Sequence, residues 1–92
     1  MIRSFHHKGL KLLFESGSRR GLSPEMADRV VRRLDVIDAA TDIHDLDLPG
    51  FGLHELKGDR AGTWSIRVSG NFRITFSFES GDATALDLED YH

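Results

Sequence analysis

The sequence predicts an α+β fold in which two helices near the N-terminus pack on one face of an antiparallel β-sheet. Apolar residues recur at helical spacing in the first part of the chain and at every second position in the last third. Two turn signals, Gly70-Asn71 and Gly81-Asp82, separate the alternating runs and predict consecutive hairpins. With 92 residues and no repeat or linker, the chain is expected to form a single domain.

The first helix is expected over residues 6–16, after a short strand at residues 2–5. Gly17 follows the last apolar position and is a suitable C-cap. The apolar stripe of this helix comprises Leu10, Leu13 and Phe14. A polar loop follows at residues 16–21.

The second helix has a well-marked beginning. Ser23 is a suitable N-cap, Pro24 occupies the first helical position, and Glu25 lies in the first turn, where acidic side chains are favourable. The expected buried stripe comprises Met26, Val30, Leu34 and Ile37. The arginines outside that stripe are Arg29, Arg32 and Arg33. An acidic loop is expected over residues 41–52.

The remaining segments alternate with the period of β-strands, near 52–56 and at 63–68, 72–79 and 83–89. The side chains expected on the sheet face away from the helices are Ser65, Arg67, Arg73, Thr75 and Ser77. An open face with arginines and small hydroxyls is suited to binding a sugar–phosphate backbone. The alternative is an ordinary solvated sheet face.

Charge is distributed unevenly, although the net charge is only −3. Residues 1–33 carry eight basic and three acidic side chains, and residues 60–78 carry three arginines and no acid. The stretches at 34–59 and 79–92 are strongly acidic. Because the binding of a nucleic acid depends on the local electrostatic potential, a basic face can bind phosphates despite the negative net charge. The alternative is a dipolar surface that only favours solubility.

The composition excludes several classes of protein. There are no cysteines, which excludes a disulfide scaffold and thiolate metal sites and fits a cytoplasmic location. No apolar run is long enough to span a membrane, and the N-terminus lacks the pattern of a signal peptide. No metal, phosphate-loop or nucleophile-elbow motif is present, so we expect no metal and no cofactor.

Two places carry side chains suited to acid–base chemistry. At the C-terminal end, Asp90, Tyr91 and His92 follow a predicted strand directly, and a carboxylate beside His92 would favour the charged imidazole that a general acid requires. His54 lies near the end of a strand, with Lys57 three residues on. A frayed polar terminus and a surface histidine are the alternatives.

Four segments of the chain resemble the HigB family of toxins: IRSFHHKGL at 2–10, HELKGDRAGTWSI at 54–66, GNFRITF at 70–76 and EDYH at 89–92. This resemblance implies the RelE fold and a metal-independent endoribonuclease that cleaves mRNA in the ribosomal A site. It also implies a HigA-type antitoxin with a helix-turn-helix, through which DNA would be contacted only indirectly.

The resemblance also implies a set of site residues. The expected catalytic residues are His54, Arg73, Asp90, Tyr91 and His92, and Lys57 and Asn71 are expected to bind RNA. Arg67, which the alternation places on the open sheet face, is also expected to bind RNA. We hypothesise a reaction in which the 2′-OH attacks the adjacent phosphorus, with His54 or Asp90 as the base and His92 as the acid. Arg73, helped by Lys57, would stabilise the phosphoryl charge, Tyr91 would position the phosphate or stack on a base, and Asn71 would bind a base edge.

Ribosome docking is assigned to the basic side chains Arg19, Arg20, Arg29, Arg32 and Arg33, for which a solvated helix face is the alternative. Two other functions stay open from the sequence. One is a non-catalytic co-regulator that acts with its DNA-binding partner. The other is an RNase that needs no ribosome.

Overall fold

The computed structural model describes residues 1–91 and shows two helices on one face of a four-stranded sheet. The helices are α1 (Lys8–Ser16) and α2 (Pro24–Ala39), and short 3-10 turns lie at Ile43–Leu46 and Gly58–Arg60. The strands are β1 (His54–Glu55), β2 (Thr63–Arg67), β3 (Phe72–Glu79) and β4 (Asp82–Asp90). They form an antiparallel meander in the order β1-β2-β3-β4, which confirms the predicted α+β architecture.

Both helices have the predicted caps. The Ser23 hydroxyl accepts from the backbone N–H of Met26 at 3.2 Å, and Gly17 ends α1 with a left-handed φ of 74°. The beginning of α1 was predicted two residues too early. His7 is the N-cap, because its ring Nδ1 accepts from the backbone N–H of Leu10 at 3.1 Å.

The hydrophobic core lies between the helices and the sheet. Its buried side chains include Leu10, Leu13, Val30, Leu34 and Ile37 from the helices and Ile66, Ile74, Phe76 and Leu86 from the sheet. Phe14 and Met26, predicted in the buried stripes, are only half-buried at its margin. Leu46 and Phe51 also enter the core, so the loop before β1 packs against the helices and the sheet.

The acidic loop owes its shape to its carboxylates. Asp42 accepts from the backbone N–H of His44 at 2.8 Å, and Asp45 accepts from the backbone N–H groups of Thr41 and Asp42. The hydrogen bond from the backbone N–H of His44 lowers the pKa of Asp42. The hydrogen bonds from the backbone N–H groups of Thr41 and Asp42 lower the pKa of Asp45. The two carboxylates cap a 3-10 turn whose last residue is the buried Leu46.

The short strand predicted at residues 2–5 is wrong. This segment makes two isolated parallel bridges to β4, from Ile2 to Ala83 and from Phe5 to Leu86. Strand β4 has a bulge there, with Ala85 at a left-handed φ of 55°, and the N–H of Ala85 donates to the Ser4 hydroxyl at 2.9 Å. The bulge interrupts regular pairing, so the segment cannot continue as a strand.

Strand β1 is shorter than predicted, since only His54 and Glu55 pair with β2. It therefore forms a narrow edge to the sheet.

Within residues 1–91, none of the helices combines the length and the apolar character needed to cross a bilayer.

The core assignment predicts a large difference between two leucines of α1. Leu10 is fully buried, whereas 49% of the surface of Leu12 is exposed. Leu10→Ala should lower the free energy of unfolding by about 2–5 kcal/mol, because it removes buried methyl groups and leaves a cavity. The same change at Leu12 should cost less than about 1 kcal/mol. Urea denaturation of both variants measures the two values, and equal losses would contradict the packing of α1.

Candidate active site

Strand register places a polar set on the sheet face away from the helices. Ser65 pairs with Thr75, which pairs with Asp87; Arg67 pairs with Arg73, which pairs with Glu89. Directly paired residues lie on the same face of a sheet. His54 pairs with Ser65 and so belongs to this polar face too, although it comes from β1.

The polar face is less open than the sequence predicted. Ser65 and Thr75, expected to be exposed, are 0% and 2% exposed. Charged side chains lie over them. Arg73 Nη1 lies 3.5 Å from Ser65 Oγ, and the Thr75 hydroxyl donates to Glu89 Oε2 at 2.6 Å. The small hydroxyls therefore form a floor that orients the charged groups above it.

Arg73 is the cation at the centre of this face. Its guanidinium carbon lies 5.3 Å from the centroid of the Tyr91 ring, a cation–π contact. Tyr91 is held in turn by its backbone N–H, which donates to the carbonyl oxygen of Asn71 at 2.5 Å. A guanidinium has five N–H groups, so the half-buried Arg73 keeps donors for an anionic ligand beside the ring.

His54 is exposed at the edge of the same face. Its Nδ1 lies 3.2 Å from the carbonyl oxygen of Gly52. A carbonyl can only accept, so this hydrogen bond requires a proton on Nδ1 and leaves the lone pair of a neutral ring on Nε2. That tautomer is the one in which Nε2 can take a proton from a substrate.

The strand register directs Asp90 away from the polar face that carries Arg73 and His54. It pairs with Phe72, whereas the preceding pair is Glu89 with Arg73. Because side chains alternate along a strand, Asp90 and Glu89 are directed to opposite faces. The chain returns to the Arg73 side at Tyr91. His92, the predicted acid, lies outside the described residues.

Of the predicted RNA-binding residues, Arg67 pairs with Arg73 and Asn71 contacts Tyr91, whereas Lys57 lies in the loop between β1 and β2. Arg67 is exposed, and its guanidinium lies beside Gly52, where an added Cβ would stand 3.7 Å from Nη2. Lys57 is exposed and immediately precedes the 3-10 turn Gly58–Arg60. Asn71 is exposed in the β2–β3 turn and contacts Tyr91 through its carbonyl oxygen.

Sequence reasoning missed a second polar cluster that adjoins Arg73. Arg60 binds both carboxylate oxygens of Glu89, at 2.9 and 2.5 Å, and Thr75 donates to the same carboxylate. The Arg60 hydrogen bond is the main cause of the lowered pKa of Glu89, and it also raises the pKa of Arg60. No local pattern in the sequence signals the Arg60–Glu89 pair, because Arg60 lies in a turn and Glu89 in a strand 29 positions further along the chain.

The basic face of α2 is partly neutralised. Arg33, expected outside the buried stripe, is half-buried: its guanidinium lies 4.8 Å from the Phe51 ring centroid, and its Nε donates to the Arg67 carbonyl at 2.6 Å. Burial, then repulsion by neighbouring arginines, lowers the pKa of Arg33. Ion pairs join two other arginines of the basic set to carboxylates, Arg19 to Asp28 and Arg29 to Glu25.

The polar face is a shallow surface around Arg73. A cavity of about 200 Å³ lies over Arg60, Thr75, Asp87 and Glu89. A groove of about 640 Å³ runs over the far end of the sheet, and none of the predicted site residues lines it. In the part of the chain that the structure describes, no three histidine or acidic side chains are grouped to hold a metal ion. A shallow charged surface suits a polymer better than an enclosed small molecule.

The chain matches a known protein family over nearly its whole length. The family described as "RelE-like toxin of type II toxin-antitoxin system HigB" matches residues 3–92. The chain belongs to this family. "Endoribonuclease HigB" of Proteus vulgaris is 55% identical over 92 residues, with both chains covered completely. "Toxin HigB-1" of Vibrio cholerae serotype O1 is 34% identical over 95 residues, covering 99% of this chain and all of that protein.

A solved structure confirms the fold. A chain of the YoeB-YefM complex from Staphylococcus aureus superimposes with a TM-score of 0.62, covering 100% of this chain and 95% of that chain. At 15% sequence identity this likeness concerns the fold alone. The RelE-like architecture expected from the sequence is thus present, and as a type II toxin this HigB-family protein has an antitoxin as its partner.

The lowered pKa of Glu89 predicts a pH-dependent contribution to stability. Glu89 is paired only in the folded protein, so its contribution is fully present above the ordinary glutamate pKa and is lost as pH falls through the lower folded value. Glu89→Gln should therefore flatten the acid limb of a plot of unfolding free energy against pH.

The matched control is Glu25→Gln, which removes a carboxylate that also pairs with an arginine but is 76% exposed, against 25% for Glu89. Exposed pairs contribute little, so this variant should keep the native acid limb. Identical pH profiles for native protein and Glu89→Gln would contradict the assignment.

Proposed function

We propose that this HigB-family toxin is an endoribonuclease that cleaves mRNA in the ribosomal A site and so inhibits translation and growth. The observation that carries the proposal is the polar face, where Arg73 lies against Tyr91 on the same side of the sheet as His54. The name of the Proteus vulgaris relative supports the endoribonuclease activity, and the family supports the role as a toxin.

The proposed reaction is attack of a 2′-OH on the adjacent phosphorus, giving a cyclic phosphate and a free 5′-OH. Arg73 binds the phosphoryl oxygens, where its charge is most effective as negative charge develops. His54 takes the 2′-OH proton through Nε2, which the hydrogen bond to Gly52 leaves available. This favours His54 over Asp90 as the base, because strand register directs Asp90 to the other face.

The leaving 5′-oxygen needs a proton, and we assign it to His92. The backbone hydrogen bond from Tyr91 to Asn71 fixes the residue directly before it beside Arg73. The exposed Tyr91 ring then stacks on a base or holds the phosphate. Lys57, Arg67 and the side chain of Asn71 contact the RNA on either side of the cleaved bond.

The reaction as proposed needs no metal, because each proton transfer and each charge is assigned to a side chain. The whole of residues 1–92 is proposed to act as one toxin domain in the cytoplasm, where mRNA and ribosomes are found. Its antitoxin is proposed to be of the HigA type, with a helix-turn-helix that binds DNA.

Ribosome dependence is consistent with the shallow site. A small flat surface offers little to hold a flexible strand in an in-line geometry, and correct positioning accounts for a large part of a barrier reduction. Docking on ribosomal RNA is assigned to the arginines around α2, of which the half-buried Arg33 is the least available because it donates to the Arg67 carbonyl. Binding through phosphates should weaken steeply with salt.

The direct test is mRNA cleavage in a purified translation system, with and without ribosomes, by a protein carrying no residues after His92. Native protein should cleave within ribosome-bound codons. Removal of one transition-state donor by Arg73→Ala should slow cleavage by about 10²–10³-fold. Removal of the acid by His92→Ala should slow it by about 10²–10⁴-fold.

Each other result supports a different function. Cleavage of naked RNA at the same rate would favour the ribosome-independent RNase. Antitoxin binding without any cleavage would favour the non-catalytic co-regulator and would reject the assignment of Arg73 and His92 to chemistry.

A single 2′-deoxy substitution tests the proposed nucleophile. An mRNA with deoxyribose on the 5′ side of the cleaved bond should bind the ribosome and toxin but should not be cut, since the attacking hydroxyl is missing. The all-ribose mRNA is the control. Cleavage of the deoxy-substituted bond would show that water or another group attacks the phosphorus.

A further inference from the structure

Arg73 and Glu89 are direct cross-strand partners on the polar face. Opposite charges at such positions lie within reach of one another and normally attract. The contacts of Arg73 are nevertheless with Ser65 and Tyr91, and the carboxylate of Glu89 turns away to Arg60 and Thr75. The Glu89 carboxylate is thus a cross-strand neighbour of Arg73, but it is bound by a different arginine, Arg60.

Arg60 is well placed to do this. Both of its terminal nitrogens bind Glu89, one to each oxygen, and Thr75 donates to the oxygen that Arg60 Nη2 also binds. Bidentate arginine–carboxylate pairs are stronger and more directional than single contacts. Arg60 ends the 3-10 turn Gly58–Arg60 that follows Lys57, so the same pair also ties this turn to β4.

We propose that Arg60 is a positioning residue for RNA cleavage: it sequesters the Glu89 carboxylate and so keeps the Arg73 guanidinium available for the phosphate. This inference rests on the function proposed above. Without Arg60, Glu89 rotates towards its cross-strand partner and forms an ion pair with Arg73. That pair competes with the RNA phosphate for the same N–H donors.

The proposal predicts an unusual pattern of rescue. Arg60→Ala should slow cleavage of ribosome-bound mRNA by at least about tenfold, up to the full loss caused by Arg73→Ala. Glu89→Gln alone should cleave within about threefold of native protein, because a neutral amide cannot neutralise Arg73. The double variant Arg60→Ala/Glu89→Gln should recover most of the activity that Arg60→Ala loses.

The pattern separates sequestration from simple anchoring of the turn. If Arg60 only anchored the turn, the double variant would be as slow as Arg60→Ala, and the proposal would be overturned. If Glu89→Gln alone abolished cleavage, the carboxylate itself would be needed, which would also overturn it. Arg60→Lys, which keeps the charge but loses the bidentate geometry, should fall between Arg60→Ala and native protein.

Arg3→Ala is the matched control, since Arg3 also pairs with a carboxylate of β4, Asp82, at 3.1 Å, and is 56% exposed against 47% for Arg60. It should cleave like native protein. Urea denaturation of every variant identifies one that is slow because it is unfolded, and Glu89→Gln and Arg60→Lys then decide the question. Failure of native protein to cleave at all would reject the proposed function, whereas cleavage without rescue rejects only the role of Arg60.

Discussion

The register of β3 against its two neighbours is the constraint on which the rest of this structure depends. Since side chains alternate along a strand, one register sends Ile74 and Phe76 into the core and Arg73 and Thr75 to the polar face. A shift of one residue would exchange the two sets. The buried apolar face therefore fixes the position of the arginine, and packing against the helices becomes a determinant of the chemistry on the opposite side.

The polar face has two layers with separate tasks. Ser65 and Thr75 carry buried hydroxyls that hydrogen-bond to the charged groups above them. These hydrogen bonds fix the positions of the charged groups on the sheet. Above them, Arg73 rests on Tyr91 and Glu89 is held by Arg60. The exposed parts of Arg73 and Tyr91 form the surface that is proposed to bind an RNA strand. In the proposed function, the ribosome encloses the RNA strand on this surface.

The sequence was sufficient for the architecture, because caps and apolar periodicity are local signals. Ser23, Pro24 and Gly17 mark helix ends by their own chemistry, and the alternation in β2 to β4 requires only nearest neighbours. Features that depend on distant contacts were not predictable. His7 caps α1 with its ring, and Ala85 takes a left-handed conformation at a bulge. Arg33 of α2 stacks on the ring of Phe51, which lies in the loop before β1. The Arg60–Glu89 pair joins residues 29 positions apart, so nothing in either local segment announced it.

The central claim is that this face cleaves RNA through 2′-OH attack with side chains alone, and the chemistry of the product ends tests it most directly. Ribosome-bound mRNA would be cleaved by native toxin and the new ends identified by their response to a 3′-phosphatase that also opens cyclic phosphates and to a 5′-kinase. The upstream fragment should carry a cyclic or 3′-phosphate and the downstream fragment a 5′-hydroxyl. A 3′-hydroxyl paired with a 5′-phosphate would contradict it, because those ends arise when water attacks the phosphorus and the 3′-oxygen leaves, whereas attack by the 2′-OH expels the 5′-oxygen.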